Sequence, residues 1–201
     1  MIHLVLATHI EAKPVISYFK LKRLMHISEY QVFINNDKSI SLTISGIGKV
    51  FSACSVIFTY SLFKRQKNNI WINIGIAGHN DLEIGEISLV NKINDLSSKK
   101  SWYPSIVFNH NFKVHNCNTY DKPNFKYTKK NLHDMELSGF YSSANKLSYS
   151  ELIQSLKIVS DNKEKKISFK ERGRISELIK INITHIEKVI LILNKLHLKI
   201  N

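Results

Sequence analysis

Carboxylates at the ends of apolar runs are the first residues in this chain that suggest chemistry. Glu11 follows the run Ile2–Ala7, Asp134, Met135 and Glu136 follow Leu132, and Ser160 with Asp161 closes the run through Ile158 and Val159. Two glycine turns accompany them, Ser45-Gly46-Ile47-Gly48-Lys49 and Gly75-Ile76-Ala77-Gly78. Glycine lets the backbone come close to a ligand and offers N–H donors to an oxygen-rich group. Carboxylates beside such turns can bind sugar hydroxyls, or act as general acid and base when their surroundings set their proton affinities apart. Each signal also has a structural reading. Glu11 fits an acid in a first helical turn, where the macrodipole favours it, while Glu136 fits a helix N-terminal acid and Asp161 a loop cap. SGIGK lacks the GxxxxGK[ST] spacing of a P-loop and serves equally as a plain turn. His9, His79 and His133 lie near the same segments, but a lone histidine is more often structural, and none joins the catalytic set.

Something must bring these positions to one rim, and the hydrophobic pattern supplies the elements. HLVLA reads as a buried strand, and a helix starts at Thr8 or His9. EYQVFINNDKSISLTIS splits at Asn35-Asn36-Asp37 into a hairpin. From Gly48 a helix carries Val50, Ala53, Cys54, Ile57 and Ser61 on one face. NIWINIGIAG is a strand of the kind buried on both faces, and EISLVNKI follows it. Residues 94–130 are polar, with strands expected around SIVFN and FKVHN. LHDM then leads into a helix with Phe140, Ala144 and Leu147 inward, and QSLKIVSD is a buried strand ending on a carboxylate. Ile175, Leu178, Ile179, Ile183, Ile186, Val189, Ile190 and Leu193 recur at helical spacing across 171–198, a helical cap for one sheet face. Alternating strands and helices with glycine turns at strand ends predict a single α/β domain over 1–201. It is a three-layer α/β/α arrangement with a twisted, mixed central sheet, and its ligands collect at strand carboxyl ends.

At 201 residues and 43% hydrophobic, the chain is one domain's length and apolar enough to pack a core. The net charge of +13, from 29 Lys+Arg against 16 Asp+Glu, invites a nucleic-acid reading. The excess is nearly all lysine, however, and it gathers around 19–23, 99–100, 122–130 and 163–170 rather than at the acidic positions. Cys54 and Cys117 stand far apart with no CxxC and no nearby histidine ligand, so neither a disulfide framework nor a metal site is indicated, and a reducing cytoplasm fits. The opening run is too short and polar for a signal sequence. Phe51–Phe63 falls short of the roughly 20 residues a membrane span needs, so no transmembrane segment is expected.

In order and spacing the chain resembles the nucleoside phosphorylase/nucleosidase superfamily, most closely its 5'-methylthioadenosine/S-adenosylhomocysteine nucleosidase branch. LVLATHIEAKP is similar to the family's opening strand and acidic loop, and SLTISGIGKVFSA to its ISGIGKVNAA-type signature. INIGIAGHNDLEIGEISLVNKI resembles INTGSAGGL…GDIVV, HDMELSGFY the VEMEAAA ribose motif, and LKIVSDN the RAISD motif. The resemblance covers most of the chain, with five blocks in the same order.

It implies cleavage of the N-glycosidic bond of a purine nucleoside, a 5'-modified adenosine, by a homodimer without metal or organic cofactor. Asp161 would donate a proton or strong hydrogen bond to N7 of the leaving base, and Glu11 would activate the attacking water. Glu136 would accept from the ribose 2'- and 3'-hydroxyls with Met135 beneath the sugar. Ile47, Ala77 and Gly78 would line the nucleoside or nucleophile site, and Ser160 the base. Phe169 corresponds loosely to an aromatic residue near the 5' group, and Tyr120 to a base-stacking one. Ile76 departs from the family's serine and Lys157 from its arginine, which leaves the 5' substituent open. NIGIAGH carries neither Arg nor Ser for a phosphate, which favours hydrolysis over phosphorolysis. The alternatives are a phosphorylase, a nucleosidase for a bulkier adenosylated lipid precursor, and an inactive scaffold that binds nucleic acid; the retained Glu11, Glu136 and Asp161 argue against the last.

Overall fold

The computed structural model describes residues 1–63, 68–127, 130–166 and 172–200, and Phe169 lies outside them. The elements run β1 (Ile2–Leu6), α1 (His9–Tyr18), β2 (Lys22–Arg23), β3 (Gln31–Ile34), β4 (Ile40–Ile44), α2 (Lys49–Leu62), β5 (Ile70–Gly78), β6 (Ile87–Asp95) and β7 (Ser101–Trp102). They continue with β8 (Lys113–Thr119), β9 (Leu132–Asp134), α3 (Leu137–Ala144), a 3-10 turn at Ser150–Leu152, β10 (Ile153–Asp161), α4 (Arg172–Ile181) and α5 (Ile183–Ile200).

The sheet is mixed. β4, β1, β5 and β10 are parallel neighbours, so Ile44, Leu6, Gly78 and Asp161 end on one rim. β3 and β2 extend the β4 edge in antiparallel fashion. On the other side β6 runs antiparallel to β10, β8 pairs parallel with β6, and β9 with β8. β9 then meets β5 at a bridge between His133 and Gly78, so β5, β10, β6, β8 and β9 close into a ring. That closure swings the segment His133–Glu136 across the rim where β5 and β10 end.

Strand alternation sorts the core. Leu4 and Leu6 of β1 pack with Ala12 and Val15 of α1 and with Ile179, Ile186, Val189 and Leu193 of α4 and α5. Val5, between them in sequence, joins Trp71, Val56, Leu137, Phe140 and Ala144 on the opposite face. Each fully buried Leu, Ile, Val or Phe among them contributes about 1.5–3 kcal/mol.

In three places the structure adds to or departs from the pattern-based reading. The α2 face of Val50, Cys54 and Ile57 is exposed, and the helix buries Ser52, Ser55, Val56 and Thr59 instead. Those small groups suit the close approach of α3, where any side chain at Gly139 would collide with the Lys49 carbonyl. SIVFN forms no strand; Ile106 and Phe108 pack on the core from irregular backbone. The C-terminal helical run is two helices, broken at Asn182, whose side-chain amide donates to the carbonyls of Gly85 and Leu178 at 2.9 and 3.0 Å. An amide that bonds backbone carbonyls competes with helix continuation.

Candidate active site

Thr8 caps α1 from extended backbone, and Glu11 three residues on completes a capping box. Oε2 of Glu11 accepts from Thr8 N at 2.9 Å and from Thr8 Oγ1 at 2.7 Å, while Oε1 accepts from Ile76 N at 3.2 Å. The carboxylate is thus held by two strand ends and is only 4% exposed. Beside it, a Cβ at Gly75 would stand 3.3 Å from Glu11 Oε1 and 3.5 Å from Lys157 Nζ. Glycine here keeps a small space between a carboxylate and an ammonium.

The first glycine turn does a different job from cradling phosphate. Gly46 and Gly48 take φ of +89° and +107°, and Gly48 N donates to Glu136 Oε1 at 2.8 Å. Glu136 Oε2 accepts from Met135 N at 3.3 Å. Burial, then the charge of Asp134, pushes the Glu136 carboxyl up to about 7, against the pull of Lys157 and the Gly48 N–H.

Asp134 is structural support. Its carboxylate accepts from Thr119 Oγ1 at 2.7 Å and Leu137 N at 2.8 Å, and pairs with Lys157 Nζ at 2.8 Å. Lys157 is 1% exposed. Burial opposes its charge, but Asp134, aided by Glu136, outweighs that and holds the ammonium above its ordinary range.

A register shift in β10 between Val159 and Asp161 accompanies the turn of Asp161 toward the cavity. Its Oδ1 accepts from the Ser160 hydroxyl and its Oδ2 from the Tyr127 hydroxyl. The Asp161 carbonyl accepts from His79 N at 3.0 Å. His79 is a turn residue, its Nδ1 accepting from Asp81 N and Leu82 N. His133 does reach the site. Burial keeps its imidazole below the usual range and uncharged at neutral pH, and its Nε2 has no hydrogen-bond partner among the described residues.

These groups meet in one cavity of about 480 Å³, a size suited to a small organic ligand. Glu11, Ile47, Ala77, Gly78, Met135, Glu136, Ser160 and Asp161 all line it, as does Tyr120. Thr8, Ile10, Phe125, Tyr127, His133 and Ile175 line it as well, none of which the sequence singles out as a site residue. Thr8 was the one with a readable signal, the T-x-x-E box. A second cleft of about 380 Å³, at Lys92, Lys99 and Lys100, contains none of Glu11, Glu136 and Asp161. Among the described residues no group of three or more His, Cys, Asp or Glu could hold a metal ion, and no helix is long and apolar enough to cross a membrane.

No protein-family model and no curated protein matches the chain by sequence. Solved structures do match by fold. A 5'-methylthioadenosine nucleosidase of Arabidopsis thaliana superposes with a TM-score of 0.79 at 18% identity, over 96% of this chain and 95% of that one. A 5'-methylthioadenosine/S-adenosylhomocysteine nucleosidase of S. pneumoniae gives 0.67 at 18%, over 89% and 98%. A futalosine hydrolase of Helicobacter pylori gives 0.66 at 15%, over 94% and 97%. The fold of this chain is therefore the nucleosidase fold.

Proposed function

We propose that the chain hydrolyses the N-glycosidic bond of a purine nucleoside, a 5'-modified adenosine of the methylthioadenosine/S-adenosylhomocysteine type, and releases the base. The observation that carries this reading is that Glu11, Glu136 and Asp161, from separate strand ends, line the same nucleoside-sized cavity. The superposed nucleosidases lend it support.

Glu11 takes a proton from the water whose oxygen bonds to C1', the bond from C1' to N9 breaks, and Asp161 supplies a proton or hydrogen bond at N7. Negative charge on the base and positive charge on the ribose develop only as the bond breaks, so both groups stabilise the transition state selectively. Glu136 accepts from the ribose 2'- and 3'-hydroxyls with Met135 beneath the sugar, while Ile47, Ala77, Gly78 and Ser160 shape the walls. No lysine or arginine is among the described residues of the cavity wall, which favours water over phosphate as nucleophile.

We take the frame to be one three-layer α/β/α domain over 1–201, which the helices on both faces of β1 support, working as a homodimer. Exposed Val50 (66%) and Phe51 (60%), next to Ile47 at the cavity mouth, support a second copy there. The free thiols of Cys54 and Cys117 suit a cytoplasmic setting.

The test is incubation with methylthioadenosine, S-adenosylhomocysteine and other nucleosides, with and without phosphate, read by chromatography of the base. Base release without phosphate is expected, and Asp161→Asn should keep substrate binding while losing about 10²–10⁴ in kcat. Strict dependence on phosphate makes the chain a phosphorylase, and no release from any nucleoside overturns the enzymatic reading.

A further inference from the structure

Both oxygens of the Asp161 carboxyl already accept hydrogen bonds within the chain, from Ser160 and from Tyr127. The two donors differ in how they are held. Ser160 adjoins Asp161 in β10 and is buried, so it moves only with the strand. Tyr127 follows β8 in the stretch 120–127, which lies over the cavity with Tyr120 and Phe125, and it is only half-buried. The tyrosine sits against Gly78: a Cβ there would come within 2.5 Å of the Tyr127 hydroxyl, 2.7 Å of its Cε1 and 2.9 Å of Asp161 Oδ2. Its ring stands 5.2 Å from that of His133, the other titratable group facing it.

We propose that Tyr127 is a positioning residue whose hydroxyl holds Asp161 Oδ2 toward the cavity and is exchanged for the purine base when a nucleoside binds. The proposal rests on the nucleosidase reading above. The phenol donates to Oδ2, whereas N7 is itself an acceptor and needs an O–H from the same carboxyl, so the two partners suit different proton states of Asp161. Base binding therefore breaks the Tyr127 O–H···Oδ2 bond, the Asp161 carboxylate takes up one proton from solvent to form an O–H bond, that O–H donates to N7, and the freed phenol turns to water. No bond of the base changes and no proton passes to or from Tyr127. The base binds against this contact, so Tyr127 sets a lower affinity than the cavity could otherwise reach. Burial first, then the hydrogen bond to and charge of Asp161, holds the phenol well above the ordinary tyrosine range, so it is a donor at every working pH.

The experiment uses full-length protein with isotope-labelled tyrosine Cζ, and Tyr127→Phe identifies the resonance. The Tyr127 signal should shift in Asp161→Asn, and shift in the unsubstituted protein when adenine binds. By calorimetry, Tyr127→Phe should bind adenine about tenfold more tightly, the scale of one charge-assisted hydrogen bond removed from the competition. No shift in Asp161→Asn shows that the contact is absent and overturns the proposal, even if nucleosides are hydrolysed. Unchanged or weaker adenine binding by Tyr127→Phe also overturns it, since the tyrosine would then support the base rather than yield to it. If the Asp161→Asn shift is present but neither form binds a purine or releases one, the nucleosidase reading has failed and the exchange falls with it, while the contact itself stands.

Discussion

Glu136 occupies the most informative electrostatic position in the cavity. It is a carboxyl whose proposed task is to accept from two hydroxyls, yet burial and Asp134 hold it up to about 7. The carboxylate form is the better acceptor, so nucleoside KM should rise as pH falls through about 7, and Glu136→Gln should give a high, flat profile. A KM profile for Glu136→Gln that keeps the wild-type limb would assign the titration elsewhere. The same shift has a sign for stability. The folded chain holds this proton more tightly than the unfolded one, so Glu136 lowers stability as pH rises from its ordinary value through about 7. Lys157 presents the opposite case of a buried charge that stays charged because it is paired. Lys157→Ala should cost about 3–5 kcal/mol in denaturant unfolding by leaving Asp134 buried without its cation. A loss below about 1 kcal/mol would mean that water reaches the pair.

At the scale of elements, the site depends on how each one begins or ends. α1 starts with Thr8 and Glu11 tied to each other, so the cap that begins the helix also aims the proposed base. Thr8→Ala should therefore cost about 1 kcal/mol of stability and a disproportionate share of kcat, with Thr8→Ser restoring both. Equal losses of activity and folded fraction would reduce Thr8 to a plain cap. The strand ends were legible in the sequence because apolar runs stop abruptly at glycine or acid, and the hairpin at Asn35–Asp37 and the strand ending on Asp161 follow from that. SIVFN shows the limit of such reading. Its apolar residues satisfy the core from irregular backbone, and composition does not separate that from a strand. The break at Asn182 depends on two carbonyls, one of them at Gly85 in a distant part of the chain.

At the scale of the whole molecule, the distribution of charge and of exposed apolar surface bears on what the cavity meets. No lysine is among the described residues of the acidic cavity wall, whereas α2, which starts just after the cavity residue Ile47, exposes Val50, Phe51 and Ile57. If this face meets a second copy, Phe51→Lys should shift the chain from dimer to monomer in sedimentation and weaken nucleoside binding through Ile47. A monomeric wild-type chain of full activity would remove the dimer from the proposal. The α2 pattern also explains a misleading periodicity, because apolar residues at helical spacing mark a face that avoids water without saying whether the chain's own core covers it.

The sequence by itself determined which residues stand at strand ends, that the frame alternates strands and helices, and that Glu11, Glu136 and Asp161 follow apolar runs. Those properties are local, or are carried by order and spacing. Only the tertiary structure decided that β9 returns to β5 at Gly78, that Gly48 donates to Glu136, and that Tyr127 reaches Asp161. Each of these joins residues far apart in the chain, through strand pairing and side-chain reach that no local pattern encodes. The physical reason is that a strand's polarity pattern specifies which faces are buried, whereas the choice of neighbour is made by the packing of the whole sheet.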